Sequence, residues 1–443
     1  MRRQRSKRML LVLHAALVLG CASDRAATHR CWTRSSTATT GVVAAEGLAP
    51  RGQIHADVSQ VGSWREVDRN LASGGRPDHY MQVSPDECRC RAAGYAKAAS
   101  LLQMERGLTV QLTSGHCAGK QHLAAVQRQL LALRAASRSN EAASQALTAF
   151  YELAAAEAAC DATDRTLIEV RNMIADHERI KRLTGQSPGD IDALQDREIV
   201  VLNQRAEALT TVARLNIQLR NLLAIDAADP RPIWPQADLR PIPQSPDVEG
   251  ATALALAQRT ELQSLRLILG ALDRDTLPVA RAALGQQDSA LGSAIAVRHI
   301  RHHELEDREI AVRRQQLAQM LWAAQQSVID EIHGQVLDVQ MRVRDVAAAK
   351  HALESRQRDL SRSEAKQAIG AATAFDHAAA QLAVIQAEHE LTRRAVDWRI
   401  AVVKLHQAQG CLALDCNCEM PPPKPAEQEN EVARSVFNLP MTR

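Results

Sequence analysis

Between Leu305 and Ile369 the chain runs without a proline and with a single glycine, Gly334, and the run stops at Gly370. Apolar residues step through it by threes and fours, from Leu317, Leu321 and Ala324 to Val339, Val343 and Val346, on a background of Arg, Gln, Glu and Asp. That period is helical. At roughly 1.5 Å per residue such a helix is on the order of 100 Å long, whereas helices of ordinary globular cores average about 11 or 12 residues. A second, shorter run free of Gly and Pro, Ala371 to Gln409, ends at Gly410. The sequence therefore predicts rods and turns.

The same layout occurs earlier in the chain. Lys120 to Thr184 has neither Gly nor Pro and stops at Gly185, and Asp190 to Ala228 is a shorter run of the same kind. In both places a long run is followed by one of the same lesser length. Gly185 and Gly370 are each closely followed by an aspartate, Asp190 and Asp376. This spacing points to an internal duplication of a long-helix, glycine-turn, shorter-helix unit. Inside the first run Ser137-Arg138-Ser139-Asn140 is the one plausible turn, with Ser139 or Asn140 able to cap a new helix. The absence of Gly and Pro favours continuity. Gln186-Ser187-Pro188-Gly189 reads as a tight turn, with Asp190 as the N-cap of the next helix.

Composition agrees with rods. Hydrophobic residues make up 46 % of the chain but aromatics only 2 %, and a composition led by Ala, Leu, Gln, Arg and Glu favours helix and close helix–helix packing. The fold class expected is mainly all-α, with duplicated long antiparallel helices in a bundle. Between the halves, Asp229 to Gly250 holds six prolines, which forbid helix and favour a stiff extended strap. A helix start is expected at Asp86-Glu87 after Ser84-Pro85, with the pattern running to Glu105, and Gly107, Gly115 and Gly119 interrupt before the first rod. Ala251 opens the next helical run. The resulting division is a signal peptide (1–20), a largely irregular leader (21–84), a first helical repeat (85–228), the strap (229–250), a second repeat (251–415) and a disordered tail (416–443).

Residues 1–8 are basic, and Met9 to Gly20 is an apolar run of signal-peptide length, too short to span a membrane. It ends Val18-Leu19-Gly20-Cys21, which resembles the bacterial lipobox and makes Cys21 the expected lipidation site. The competing reading is an ordinary secretory signal cut nearby. Acyl chains would hold the N-terminus to a membrane, each buried CH₂ adding roughly 0.8 kcal/mol. Loss of the cations Arg2, Arg3, Arg5, Lys7 and Arg8 takes the formal charge from +3 to −2, which gives no support to nucleic-acid binding. An oxidising compartment permits disulfides among the other cysteines. Cys88/Cys90 and Cys416/Cys418 lie near the start and end of the duplicated body, as a bridge, as free thiols or, less well supported, as metal ligands.

Several stretches resemble the TolC family of outer-membrane efflux channels. Ala253 to Leu262 is similar to its helix opening, and Gly370-Ala371-Ala372-Thr373-Ala374-Phe375-Asp376 to its glycine turn followed by a capping Ser/Thr and Asp. Trp398 to Gly410 is similar to the closing helix, and Leu222-Leu223-Ala224-Ile225-Asp226 before Pro230 to its first-half counterpart. The resemblance covers roughly Asp86 to Asp415. It implies a homotrimer forming a hollow helical tube, sited at the outer membrane on its periplasmic side, held by a lipid anchor. It also implies a periplasmic adaptor and an inner-membrane transporter docking at the far end, and passive conduction of small molecules or exported substrates. The structural turns would be Gly185 with Asp190 and Gly370 with Asp376, and Arg308, Arg313 and Asp345 are candidates to line the tube. Barrel strands should sit near Gly107–Gly119 and Leu277–Arg301. A membrane strand needs about 9–11 alternating residues with aromatic girdles. Only Leu108-Thr109-Val110-Gln111-Leu112 alternates, and Leu277–Arg301 reads as Ala-rich coil or helix. The strands are expected to be short or absent, which keeps open a second reading, an anchored coiled-coil scaffold or spacer without a pore.

No enzyme signature is present: no phosphate-cradling glycine loop, nucleophile elbow or helical zinc-protease motif. His299 with His302 or His303 could share a helix face toward a metal, but no second cluster stands at ligand spacing, so a solvated basic face is the expectation. Glu304/Glu306 and Glu388/Glu390 stand two apart, on different faces, as surface charge. No cofactor is expected.

Overall fold

A computed structural model describes residues 80–416, apart from 114–117, 186–190, 227, 230, 240–245, 289–290, 292–302 and 415. Among the described residues the elements run β1 (Met81–Val83), α1 (Pro85–Gly94), α2 (Lys97–Thr113), α3 (Ala118–Thr184), α4 (Ile191–Leu222), β2 (Ile233–Pro235), α5 (Val248–Gln258), α6 (Thr260–Gly270), α7 (Leu277–Gln287), α8 (His303–Ala368) and α9 (Ala374–Gln409). The all-α expectation holds, with duplicated long antiparallel helices. Each half runs two short helices, one long rod (α3 or α8) and one shorter rod (α4 or α9), with α7 an extra element in the second.

The rods pack as a row, α4 on α3, α3 on α9, and α9 on α8. α1 and α2 pack on α3, while α5, α6 and α7 pack on α8. Alanine makes the close approach possible: Ala143, Ala146, Ala149 and Ala154 of α3 are buried beside Phe150 and Leu153. Phe150 and Leu153 are fully buried, each contributing about 1.5–3 kcal/mol relative to exposure. On α8, Val328, Ile332, Val336, Val339 and Val346 form the buried stripe that the sequence period predicts, facing Leu391 and Trp398 of α9.

α3 is continuous through Ser137–Asn140. The polar residues there act at long range. Asn140 Nδ2 donates to the Gln407 carbonyl (3.1 Å), its Oδ1 accepts from Leu412 N–H (2.9 Å), and Ser144 Oγ bonds Gln407 Oε1 (2.5 Å). They pin the end of α9 to the middle of α3.

Ile233–Pro235 of the strap is extended, and it pairs. β2 lies parallel to β1 with Met81 opposite Ile233 and Val83 opposite Pro235. Met81 N–H donates to the Pro232 carbonyl (2.8 Å), Gln236 N–H donates to the Val83 carbonyl (2.9 Å), and Ile233 N–H reaches Asn216 Oδ1 of α4 (2.6 Å). Arg399 of α9 donates to the Asp238 carbonyl (2.7 Å), tying the strap to the second half. One turn of α1 serves both halves: Arg91 donates to the Leu223 carbonyl just past α4 (2.8 Å) and Arg89 to the Leu412 carbonyl just past α9 (2.9 Å). Helix C-termini leave carbonyls unsatisfied, and these guanidiniums supply donors next to them.

Three expectations are corrected. Leu108–Leu112 is helix: α2 runs through Gly107 to Thr113, and Gly119 lies inside α3, so neither glycine interrupts. So brief an alternation is too short to separate strand from helix. The helix expected from Asp86 to Glu105 is two, broken at Tyr95-Ala96. The run expected from Ala251 opens at Val248, because Asp247 accepts from Glu249 and Gly250 N–H as N-cap.

Candidate functional site: rod tips and unpartnered rod faces

Both glycine turns are built as rod ends. Gly370 has φ +75°, Gly370 N–H bonds the Gln367 carbonyl (3.0 Å) and Ala371 N–H the Lys366 carbonyl (2.8 Å), the backbone signature of a left-handed helix stop. Thr373 then caps α9: its Oγ1 accepts from Asp376 N–H (3.2 Å), and Asp376 Oδ2 accepts from Thr373 N–H (2.9 Å). Asp376 Oδ2 also accepts from the Thr373 hydroxyl (2.8 Å), and the backbone bond first, then this one, hold the Asp376 carboxyl below its ordinary range. Gly185 has φ +71° and its N–H bonds the Lys181 carbonyl (2.9 Å). Asp190 lies outside the described residues.

A small core of Val170, Met173, Leu194, Ala378 and Leu382 joins α3, α4 and α9 near this end. Beyond it stand Leu183 and Ile369, each 79 % exposed, and Phe375, whose ring meets His177 edge-on at 5.8 Å. Apolar side chains at the end of a rod have no folding role there, and suit docking of a protein.

The outer rods carry the second surface. On α8, Val312, Leu337 and Met341 are exposed on the side opposite the buried valine stripe and Trp322 on its flank, with Trp322 and Leu337 each 65 % exposed. On α4, Ile199 and Ile217 stand a whole number of helical turns apart and share an exposed face away from Leu194, Val201 and Leu215. Each edge of the row therefore buries one face against its neighbour and keeps apolar residues on the other. Of the candidate tube-lining residues, Arg308 is exposed, Arg313 pairs with Glu309 (3.2 Å), and Asp345 lies 3.6 Å from Arg342.

Reactive groups are few in this frame. Burial pushes the Cys88 thiol far up, with the Glu87 charge adding, so no thiolate nucleophile is present there. His406, in the last turn of α9, has a buried Nε2 without a hydrogen-bond partner. Desolvation, then the nearby Arg89 and Arg399 charges, push its pKa down to about 4, so it is neutral at pH 7. Among the described residues no group of three or more His, Cys, Asp or Glu could hold a metal ion, and no helix is long and apolar enough to cross a membrane. Cys21, Cys418, His299 and His302 lie outside the described residues, and so does the side chain of His303. Asn140, Arg89, Arg91 and Arg399 were not singled out in the sequence as contact residues, since their partners lie far along the chain and leave no local pattern.

No family model and no curated protein matches this sequence. Solved structures are similar. The Campylobacter jejuni CmeC outer membrane channel aligns with 73 % of this chain and 72 % of its own, at 12 % identity and a TM-score of 0.51. A membrane protein from Pseudomonas aeruginosa aligns over 66 % of this chain and 71 % of its own, at 16 % identity and a TM-score of 0.49. CusC, whose structures concern transmembrane channel formation, aligns over 66 % and 74 % at 16 % identity and 0.48. At such identity what is shared with CmeC is the fold. The architecture is TolC-like, a helical body in which the strands among the described residues are only three residues long.

Proposed function

We propose, from the TolC-like fold, that this chain is the outer-membrane and periplasmic channel component of an efflux or secretion system, conducting small molecules or exported substrates passively as a homotrimer. The observation that carries the reading is the open row of rods. Its two edges, α4 and α8, differ in sequence and both keep apolar faces uncovered. Unlike edges meet head to tail, and a head-to-tail contact between copies that closes makes a ring. The exposed Leu183 and Ile369 at the tips are the docking points for a periplasmic adaptor, with an inner-membrane transporter beyond it. Acylated Cys21 holds the assembly to the outer membrane.

One observation favours a second reading, a lipid-anchored scaffold without a pore: β1 and β2 have three residues each and pair with one another, against the roughly 9–11 a membrane strand needs. Light scattering of the lipidated protein in mild detergent separates the two. A stable trimer with conductance in planar bilayers supports the channel, and a monomer leaves the scaffold. Replacing Trp322 and Leu337 together by Glu is expected to shift a trimer to monomer with the helical circular-dichroism signal intact. A trimer that survives both substitutions removes α8 from the contact.

A further inference from the structure

Helix α2 presents an apolar surface that the bundle does not use. Leu101, Met104 and Leu108, at i, i+3 and i+7 spacing, are 65 %, 68 % and 45 % exposed, and with Leu102 and Glu105 they line a groove of about 360 Å³. A side chain added at Gly107 would meet nothing within 4 Å. We infer that this stripe is a second membrane attachment of the chain, seated in the interface of an anionic lipid surface. The inference rests on the lipid-anchored reading above.

Position and charge identify the occupant. α2 packs on the starting end of α3, the end away from the Gly185 turn and, at about 1.5 Å per residue, on the order of 100 Å from the tips. Its 17 residues are too few to span a bilayer, which takes about 20 residues, but suffice to lie along its surface. Lys97 stands one turn before Leu101 in line with the stripe, where its ammonium reaches headgroups while the leucines enter the acyl boundary. Residues 95–134 carry five cations, Lys97, Arg106, Lys120, Arg128 and Arg134, against one carboxylate, Glu105. A second copy docked on this end would bring two net-positive segments together, which disfavours that contact. Anionic phospholipid complements them.

The test is Met104→Trp in the full lipidated chain, reconstituted in vesicles of phosphatidylethanolamine and phosphatidylglycerol with or without brominated acyl chains. Relative to the unsubstituted chain, the introduced indole is expected to be blue-shifted and quenched about twofold or more by bromine, at the depth of an interfacial helix. Adding Leu101→Gln and Leu108→Gln should abolish that quenching. For chains carrying Cys21→Ser they should weaken vesicle partitioning roughly tenfold. An indole left unquenched on vesicle-bound protein overturns the inference, and a blue shift in detergent without quenching in vesicles assigns the stripe to a second copy. Mass spectrometry of the mature N-terminus reads acylation separately. Quenching without an acyl mass removes the anchor and keeps α2; an acyl mass without quenching does the reverse.

Discussion

The two halves of the molecule end on the same backbone turn made from different residues. After α9, Gly410 has φ +77°, its N–H bonds the Gln407 carbonyl (2.9 Å) and Cys411 N–H the His406 carbonyl (3.3 Å). After α4, Ala224 has φ +47°, its N–H points to the Asn221 carbonyl (3.4 Å) and Ile225 N–H bonds the Arg220 carbonyl (3.0 Å). The left-handed position costs a side-chain-bearing residue roughly 1–2 kcal/mol. At Ala224 the site is exposed, and Arg220 braces the loop by donating to the carbonyls of Asp226 (2.9 Å), Asp229 and Arg231 (2.5 Å). At Gly410 a Cβ would meet the Gln258 carbonyl oxygen at 3.3 Å, at the break between α5 and α6. The comparison teaches that glycine is required by the neighbour's approach as much as by the dihedral angle.

Gly410→Val is the most severe way to break the comparison. A branched residue at that φ, pressed on backbone, is expected to cost about 3 kcal/mol or more, read as a fall in thermal midpoint; a loss under about 1 kcal/mol would mean the α5–α6 break yields. Acid comes next. His406 is kept neutral by its surroundings in the folded chain, with a pKa of about 4. The unfolded chain binds its proton below about pH 6.5. Stability is therefore complete above about pH 6.5 and falls by about 1.4 kcal/mol per unit as pH drops toward 4, where the loss levels off. Hydrogen exchange should show the α9 end loosening before the α4 end, and His406→Gln should flatten the profile in that window.

Smaller effects come from the braces. Arg220→Ala removes donors from three carbonyls, and Arg259→Ala removes the bond to the Ala408 carbonyl (3.0 Å) and the pair with Glu331 (2.6 Å). Each is expected to cost about 1–2 kcal/mol in denaturant unfolding, the first loosening the strap and the second the α9 end. The smallest effect sharpens the comparison in the opposite direction: Ala224→Gly relieves the left-handed strain and should stabilise by about 0.5–1 kcal/mol. A destabilising result would show that Ala224 makes a packing contribution its exposure does not suggest.

Much of the body could be read before the fold was seen, because rods are a local matter. Val328, Ile332, Val336 and Val339 announce a helix face by spacing, and Gly370 with Thr373 and Asp376 announces its end by turn chemistry. What stayed hidden depends on distance along the chain. The β1–β2 pairing joins Met81 to Ile233 across most of the first half, and Asn140 reads as a turn former until Gln407 and Leu412 arrive beside it. The end of helix α2 was hidden for a different reason, since Leu108 to Leu112 satisfies both periods in a window too short to choose between them. The exposed faces of α4 and α8 could not be told from buried ones, as Trp322 and Leu337 are as apolar as the residues that pack.

The short clip between β1 and β2 has a mechanical meaning. β1 follows Tyr80 directly, so tension applied to the chain at Tyr80 reaches the rods by way of this clip. The strands are parallel, and β2 is itself held to α4 by Asn216. Tension along β1 therefore shears its ladder bonds together instead of opening them one after another, and it is shared at once between α1, which follows β1 directly, and the strap. The clip works as a strain relief, like the moulded collar on a cable, keeping a load applied at Tyr80 from being concentrated on the first turn of α1.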